Sequence, residues 1–183
     1  MKTEFLKDAF ADARGSDKRM LDQLLFLFEL ERLKTELRQT LTYADKEGAN
    51  LRRENVAEHS WHITAFALLL KEYAAEPVDV MHTVEMMLFH DVVETYAGDT
   101  DVYSHLSADA VQSKEAMAAE RIYGLLPPDQ GARYKALWEE FEAGATPESR
   151  YARAIDRVHP ILANFLTGGQ GWHQIKKLLR SNG

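Results

Sequence analysis

The sequence predicts an all-α protein of about six or seven helices. Apolar residues recur at three- and four-residue spacing through most of the chain, as they do on one face of an α-helix. Glycines suited to ending helices, among them Gly15, Gly98 and Gly144, separate the periodic segments. No segment reads as a strand. The chain has 183 residues, of which 45% are hydrophobic and 28% charged, so we expect a single domain over residues 1–183.

The charge and the cysteine count exclude several classes of function. A net charge of -7 argues against binding a nucleic-acid polymer, since phosphate contacts require clustered Lys and Arg. The absence of cysteine excludes disulfides, thiolate catalysis and cysteine-based zinc sites. No run has membrane-spanning length, and the first residues lack the apolar core of a signal peptide. We therefore expect a cytoplasmic protein with no membrane partner.

The predicted helices can be placed in order along the chain. We predict helices over about residues 3–13, 16–37, 56–75, 78–96, 107–125 and 129–143, a last long helix from Pro147, and an amphipathic tail over 172–179. Ser16, Ser107 and Thr146 are the expected N-caps. Pro160 has no N–H for the carbonyl of Asp156, so we expect a kink or an end of the last helix there.

Residues 38–55 differ from the rest because they are polar and contain a glycine. We interpret them as a long loop, and such loops are often functional. Arg52 and Arg53 are expected to be solvated surface charges. Arg38, where the preceding helix meets the loop, is the arginine expected to bind an anion, because its planar guanidinium suits a phosphate.

The segment Met87–Glu94 holds the main functional signal. Burying a carboxylate among apolar residues is costly unless a cation or hydrogen bonds compensate it. The ionisable residues on apolar helices are His59, His90, Asp91, Glu94, Asp99 and Asp156. Two imidazoles and two carboxylates form a ligand set that suits Mn, Fe, Co, Ni or Zn, with Mg as a further option. Glu94 is placed to orient or deprotonate a water, and Asp99 to act as a second acid or base.

The motifs in combination resemble a known family. Glu54-Asn55-Val56-Ala57-Glu58-His59-Ser60-Trp61-His62, then His90-Asp91 with Glu94 and Gly98-Asp99, and finally Asp156, resemble the HD-domain metal-dependent phosphohydrolases. The resemblance covers about residues 25–165 and is closest to the branch of bacterial 5'-deoxynucleotidases and their eukaryotic relatives. It implies a helical bundle that binds one divalent metal through His59, His90, Asp91 and Asp156. It also matches Glu94 and Asp99 to residues that position and activate water.

The resemblance leaves the substrate open. In the nucleotidase branch an Arg-Trp pair after the first helix helps to bind the phosphate and sugar. Arg38 matches that Arg, but Gln39 stands where the Trp would be. His62 is expected to be an ordinary packing or surface residue. His159 lies one turn from Asp156, where it either supports that ligand or is a plain surface side chain.

The leading expectation is a metal-dependent phosphomonoesterase that acts on (deoxy)nucleoside 5'-monophosphates. One alternative is a phosphohydrolase of another nucleotide: cyclic, a dinucleotide or a triphosphate. Another is a metal- or ligand-binding scaffold without catalysis, which the presence of both Glu94 and Asp99 disfavours. The family often forms dimers, so a homodimer is a further expectation.

Overall fold

A computed structural model describes residue 8, residues 14–98 and residues 108–171. The α-helices are α1 (Ser16–Glu29), α2 (Val56–Leu69), α3 (Val80–Phe89), α4 (Glu94–Ala97), α5 (Ala108–Tyr123), α6 (Pro128–Ala143) and α7 (Pro147–Leu166). Short 3-10 helices cover Leu30–Lys34, Lys71–Tyr73 and His90–Val93. The prediction of a helical fold is confirmed. The predicted helix over 3–13, Ser107, Asp99 and the tail over 172–179 lie outside the described residues, apart from residue 8.

The predicted loop over residues 38–55 is wrong, and so is the prediction that the chain has no strand. Strands β1 (Leu37–Tyr43) and β2 (Leu51–Asn55) form an antiparallel hairpin, with Leu41 opposite Arg53 and Tyr43 opposite Leu51. The register is irregular between Leu37 and Leu41. Polar residues and this irregularity hide the period-2 pattern from which a strand is recognised.

The hairpin turn is held by one carboxylate. Asp45 accepts hydrogen bonds from the backbone N–H groups of Ala49 and Asn50, at 2.9 and 3.0 Å. Gly48, with φ of 70°, supplies a backbone conformation that other residues rarely adopt. Contacts within the turn itself therefore stabilise its conformation.

The first long helix ends earlier than residue 37. α1 stops at Glu29, and a 3-10 helix continues to Lys34. Thr35 Oγ1 donates to the carbonyl of Arg32 at 2.8 Å. Such a local side-chain bond to the backbone competes with the hydrogen bonds of a further helical turn. The N–H of Val56 then donates to the carbonyl of Glu36 at 3.0 Å and ties the start of α2 beside the start of β1.

The start of α2 is fixed by a capping box. Asn55 Oδ1 accepts from the N–H of Glu58 at 3.0 Å, and Glu58 Oε2 accepts from the N–H of Asn55 at 3.1 Å. Arg52 adds two hydrogen bonds to the Glu58 carboxylate, each 2.7 Å long. β2 therefore runs directly into α2 with a defined direction.

The helix signals predicted at Thr146, Pro160 and Gly98 lie within the described residues. Thr146 caps α7, with Pro147 in its first turn, as predicted. Of the kink or helix end expected at Pro160, the helix end is wrong, since α7 continues to Leu166. Gly98 follows α4 with φ of 72°, in the positive range that favours glycine.

Two buried apolar clusters lie on either side of the ionisable residues. Val56 belongs to the cluster that includes α1 and α5, while Ile63 belongs to the one built from α2, α3, α6 and α7. His59 lies three residues after Val56 and four before Ile63, so the three share one helical face. Burying a side chain such as Ile63 contributes about 1.5–3 kcal/mol. His59 is thereby held fully buried between the clusters.

No helix within residues 14–98 or 108–171 has both the length and the apolar character needed to span a bilayer.

Candidate metal centre

Three elements bring the four predicted ligand side chains together. His59 comes from α2, His90 and Asp91 from the 3-10 helix after α3, and Asp156 from α7. His59 Nε2 lies 2.9 Å from Asp156 Oδ1 and 3.7 Å from Asp91 Oδ2. His90 Nε2 lies 3.0 Å from Asp91 Oδ1. Residues separated by as many as 97 positions in the sequence thus meet in one group.

The tautomer of His90 follows from its hydrogen bonding. Its Nδ1 lies 2.8 Å from the carbonyl of Met87, and a carbonyl only accepts, so Nδ1 carries the proton. In the neutral form of this imidazole the lone pair therefore lies on Nε2. This atom is buried and has no hydrogen-bond partner among the residues that the structure describes, although Asp91 Oδ1 lies 3.0 Å away. A backbone carbonyl that holds one nitrogen and frees the other is a common support for a metal-ligating histidine.

The change from α3 to a 3-10 helix at His90 places Asp91 and Glu94 on the same side. Side chains three residues apart are eclipsed in a 3-10 helix, whereas they are staggered by 60° in an α-helix. Both carboxylates face Arg38, whose Nη1 lies 2.8 Å from Asp91 Oδ2 and 3.8 Å from Glu94 Oε1. Glu94 is therefore in the same group as the ligand residues.

Arg38 enters the group from β1 rather than from the helix end that the sequence predicted. Its Nη2 lies 3.9 Å from Asp156 Oδ1, so the guanidinium is within 4 Å of three carboxylates. The neighbouring Gln39 is exposed, and its Oε1 accepts a 2.6 Å hydrogen bond from Arg53 Nη2. The side chain at the expected Trp position is thus held outside the group.

The two aspartates are ionised at neutral pH. Burial alone would raise the pKa of Asp91, but His90, Arg38 and His59 beside it hold that pKa below its usual value. Burial also acts to raise the pKa of Asp156, and the hydrogen bond to His59 and the proximity of His90 reverse the effect and lower it. Both carboxylates therefore have the charge that metal binding requires.

The pKa of His59 is shifted in the other direction. Burial would lower the pKa of this imidazole, but the hydrogen bond to Asp156 and the nearby Glu54 carboxylate outweigh burial and raise it. In this arrangement Nε2 donates its proton to Asp156 Oδ1. Binding a cation through Nε2 requires that proton to leave.

The residues of this group fit a divalent cation. One donor atom from each of His59, His90 and Asp91 lies within 4.8 Å of the others. Asp156 Oδ1 adds a second carboxylate beside His59. Imidazole nitrogens and carboxylate oxygens together suit first-row transition metals. The buried, unbonded Nε2 of His90 is the atom that such an ion would satisfy.

The sequence underestimated three further residues. His159 is 2% exposed, which excludes the surface alternative, and its Nδ1 lies 3.3 Å from Nδ1 of His59. Its Nε2 lies 2.9 Å from Nδ1 of His62, so His62 also has a specific partner. Glu54 is 4% exposed and lies beside both His59 and His159. For His159 the sequence offered one signal, because it lies three residues after Asp156 on the same helix and so shares a face with that predicted ligand.

Burial disfavours the charged form of the His159 imidazole and lowers its pKa to about 4, although the Glu54 carboxylate acts to raise it. His159 is therefore neutral at pH 7. Neutral imidazole carries one N–H and one lone pair, so its two short nitrogen contacts have opposite hydrogen-bonding roles.

Comparison with known proteins identifies the family. A family model described as an HD domain matches residues 30–182, which is most of the chain. The chain belongs to the HD-domain family. The resemblance inferred from the motifs is confirmed.

Similar proteins come from curated sequences and from solved structures. Human 5'-deoxynucleotidase HDDC2 is 26% identical over 111 residues, covering 61% of this chain and 53% of the relative. The 5'-deoxynucleotidase hdd1 of Schizosaccharomyces pombe is 26% identical and covers 76% of this chain and 69% of its own length. A crystal structure described as a predicted metal-dependent phosphohydrolase from Magnetospirillum magnetotacticum MS-1 is 46% identical, with a TM-score of 0.74, over 83% of this chain and 74% of that chain.

The chain spans about half the length of the human relative. A Pyrococcus horikoshii protein of known structure, 18% identical with a TM-score of 0.63, shares the fold over 86% of this chain and 89% of its own.

Proposed function

We propose that this HD domain is a divalent-metal-dependent phosphomonoesterase that releases phosphate from (deoxy)nucleoside 5'-monophosphates. One observation carries the proposal: two imidazoles and two carboxylates converge within a few ångströms, beside one arginine and one further carboxylate. The names of the similar 5'-deoxynucleotidases and of the similar phosphohydrolase support this chemistry and this class of substrate.

The metal ligands of the proposal are His59, His90, Asp91 and Asp156, with Mn, Co, Fe, Ni or Zn as the ion and Mg as a further option. A bound divalent cation supplies a Lewis acid that polarises a phosphoryl oxygen and lowers the pKa of a water. The hydrogen bond to the carbonyl of Met87 orients the His90 ring, and burial between the two apolar clusters fixes the position of His59.

Arg38 is the proposed phosphate-binding residue. A guanidinium presents two parallel N–H groups that match two phosphate oxygens. In the structure these N–H groups lie near Asp91, Glu94 and Asp156, and this position beside the proposed ligands supports the role. It would offset the charge of the ester next to three carboxylates.

Glu94 is the proposed group that orients the attacking water and takes its proton. Its side chain is only 14% exposed, on the same side as Asp91. Asp99, the second predicted acid or base, is proposed from the sequence alone because it lies outside the described residues.

The direct test is phosphate release from a panel of 5'-mononucleotides, each measured with Mn²⁺, Co²⁺ or Mg²⁺ added. Turnover of at least one monophosphate, abolished by a chelator and restored by the metal, is the expected result. Fully metallated protein that hydrolyses no phosphate ester would exclude the proposal.

A second candidate keeps the metal centre and changes the substrate to a cyclic nucleotide, a dinucleotide or a triphosphate. Gln39, which follows Arg38, is exposed and hydrogen-bonded to Arg53. No aromatic side chain is therefore next to Arg38 in the sequence, and this departure from the nucleotidase pattern supports the second candidate. Including these compounds in the same panel decides between the two. A non-catalytic scaffold would show metal binding with no turnover of any of them.

The proposal further takes residues 1–183 as a single HD domain that is cytoplasmic and forms a homodimer. Exposed apolar side chains of the kind a subunit interface buries lie on α2 and α7, with Trp61 71% and Phe165 80% exposed. Light scattering coupled to size-exclusion chromatography measures the oligomeric state directly.

A further inference from the structure

A second group of metal-type side chains lies behind His59, on the side away from Asp91. Glu54 from the end of β2, His62 from α2 and His159 from α7 each offer one donor atom, and all three atoms lie within 4.8 Å of one another. His62 Nδ1 and His159 Nε2 are 2.9 Å apart, and Glu54 Oε1 is 3.7 Å from the latter. None of these three residues has a role in the proposed reaction.

Glu54 is the feature of this group that requires an explanation. Its side chain is 5% exposed, and Oε2 has no hydrogen-bond partner among the residues that the structure describes. The nearest histidine nitrogens, on His59 and His159, lie at 3.6 and 3.7 Å, which is too far for a hydrogen bond. A buried carboxylate without such bonds is costly. A cation within reach of its oxygens would remove that cost.

The spacing of the two imidazole nitrogens suits an ion as well as a hydrogen bond. Zinc–nitrogen bonds of about 2.0–2.1 Å place adjacent ligands roughly 3 Å apart, close to the observed separation. Two imidazoles and one carboxylate form a ligand set that catalytic zinc sites use with a water as the fourth ligand. A cavity of about 60 Å³ beside these three residues, also lined by Leu41, Phe66 and Leu162, has room for that water.

The geometry points to a second divalent-metal site formed by Glu54, His62 and His159, with Zn²⁺ or Co²⁺ as its ion. The imidazole ligands disfavour Mg²⁺, which takes oxygen ligands. The site is distinct from the proposed catalytic group, because its donors come from the opposite edge of the His59 ring.

The contact between His59 and His159 couples the two groups. Its Nδ1–Nδ1 distance is 3.3 Å, so one nitrogen must donate and the other accept. An ion on Nε2 of each neutral ring would leave a proton on both Nδ1 atoms, and the two N–H groups would face each other. The second ion therefore weakens binding of the first, and by linkage the first weakens the second. This coupling rests on the proposed role of His59, whereas the site itself does not.

Metal stoichiometry tests the site without any reference to catalysis. Purified protein is dialysed to equilibrium against rising Co²⁺ or Zn²⁺, and bound metal is measured by plasma mass spectrometry. We expect two ions per wild-type chain, one for His62→Gln and for Glu54→Gln, and two for the control His82→Gln, which lies in a separate pair with Glu140. Circular dichroism verifies that each variant is folded.

The coupling predicts a phase of inhibition by excess metal. Wild-type phosphatase activity should rise with Co²⁺ and then fall, whereas the activity of His62→Gln should rise to a plateau. With Mg²⁺ neither protein should show the falling phase.

One ion per wild-type chain at saturation, or two ions in both His62→Gln and Glu54→Gln, would overturn the second site. Two ions in the wild type and one in His62→Gln, in a protein that hydrolyses no ester, would support the site and refute the proposed function. The two proposals therefore fail separately.

Discussion

Arg38 Nη1 and Asp91 Oδ2 are 2.8 Å apart, although the two residues are separated by 53 positions in the sequence. The pair joins the hairpin to the 3-10 helix that carries His90 and Asp91. It links the residue proposed to bind phosphate directly to a proposed metal ligand.

Replacing Arg38 tests that proposed role. Arg38→Ala removes charge-assisted hydrogen bonds worth about 1.5–3 kcal/mol each, so we expect kcat/KM to fall by roughly 100-fold, mostly through KM. Arg38→Lys should recover part of the loss, since it retains the charge but not the planar fork. Steady-state kinetics and metal titration measure both effects.

Metal affinity should not fall in Arg38→Ala, because removing a cation beside Asp91 favours another cation there. Arg53→Ala, which changes an exposed arginine on β2, is the matched control and should retain wild-type kinetics. Unchanged KM in Arg38→Ala would contradict a role for this residue in binding the phosphate.

Glu94→Gln separates catalysis from metal binding. The amide has nearly the same shape but cannot take a proton from water, so kcat should fall by about 10²–10⁴-fold. Metal content should remain as in the wild type, because Glu94 is not a proposed ligand. If Glu94→Gln turns over substrate at the wild-type rate, another group must manage the proton.

Removing the metal should lower the stability of the fold. A ligand at 100 times its dissociation constant contributes about 2.7 kcal/mol, and for a chain of this length each kcal/mol shifts Tm by about 2–4 °C. Scanning calorimetry with and without chelator should therefore show a Tm lower by roughly 5–10 °C without metal. In Asp156→Asn, which lacks one ligand of the proposed catalytic site, the chelator should have a smaller effect, because only an ion at the proposed second site remains to be removed.

The capping box at the start of α2 positions the helix that carries His59. Asn55→Ala removes the acceptor for the N–H of Glu58, and the loss of such a cap costs about 1 kcal/mol. Asn55→Ser should retain most of the stability, because serine is an equally good N-cap. Urea denaturation of the three proteins gives the free energies of unfolding. Equal stability of the Ala variant and the wild type would show that the cap is dispensable.

Tyr123 predicts how stability changes at alkaline pH. Burial raises the pKa of this phenol above its usual value, and its hydroxyl donates to the carbonyl of Phe89 at 2.7 Å. A raised pKa in the folded state means that the stabilisation is complete below the unfolded value of about 10 and is lost as the pH rises above it.

Tyr123→Phe removes this titration. The dependence of unfolding free energy on pH above about 10 should then be shallower by up to about 1.4 kcal/mol per pH unit. Urea denaturation between pH 8 and 11 measures the slope. An unchanged slope would mean that Tyr123 ionises in the folded state as readily as in the unfolded state.

The sequence was sufficient to predict the helical class and the grouping of His59, His90, Asp91 and Asp156. Ionisable residues that interrupt apolar helical faces stand out, because burying them alone is unfavourable. The grouping of these four side chains as ligands followed from the resemblance to the HD-domain family, because an adjacent His-Asp pair is weak evidence by itself.

The hairpin and Glu54 were not predictable in the same way. A short polar hairpin offers few apolar positions, and only Thr40 and Leu41 of β1 and Glu54 of β2 are buried within it. A glutamate between two arginines and an asparagine resembles a solvated charge, and only tertiary contacts with His59 and His159 bury it. Tertiary contacts likewise connect His159 to His59, a proposed metal ligand, and His62 to His159.

The hairpin gives insertions and deletions unequal consequences along the chain. Successive side chains of a strand point to opposite faces, and Arg38 faces the carboxylates while Gln39 beside it does not. A shift of β1 by one residue would place Gln39 beside the carboxylates in place of Arg38. A single insertion or deletion would thus replace a cation with a neutral amide. Length changes just before β1 therefore alter anion recognition, whereas the turn at Asp45–Asn50 can lengthen without moving either residue.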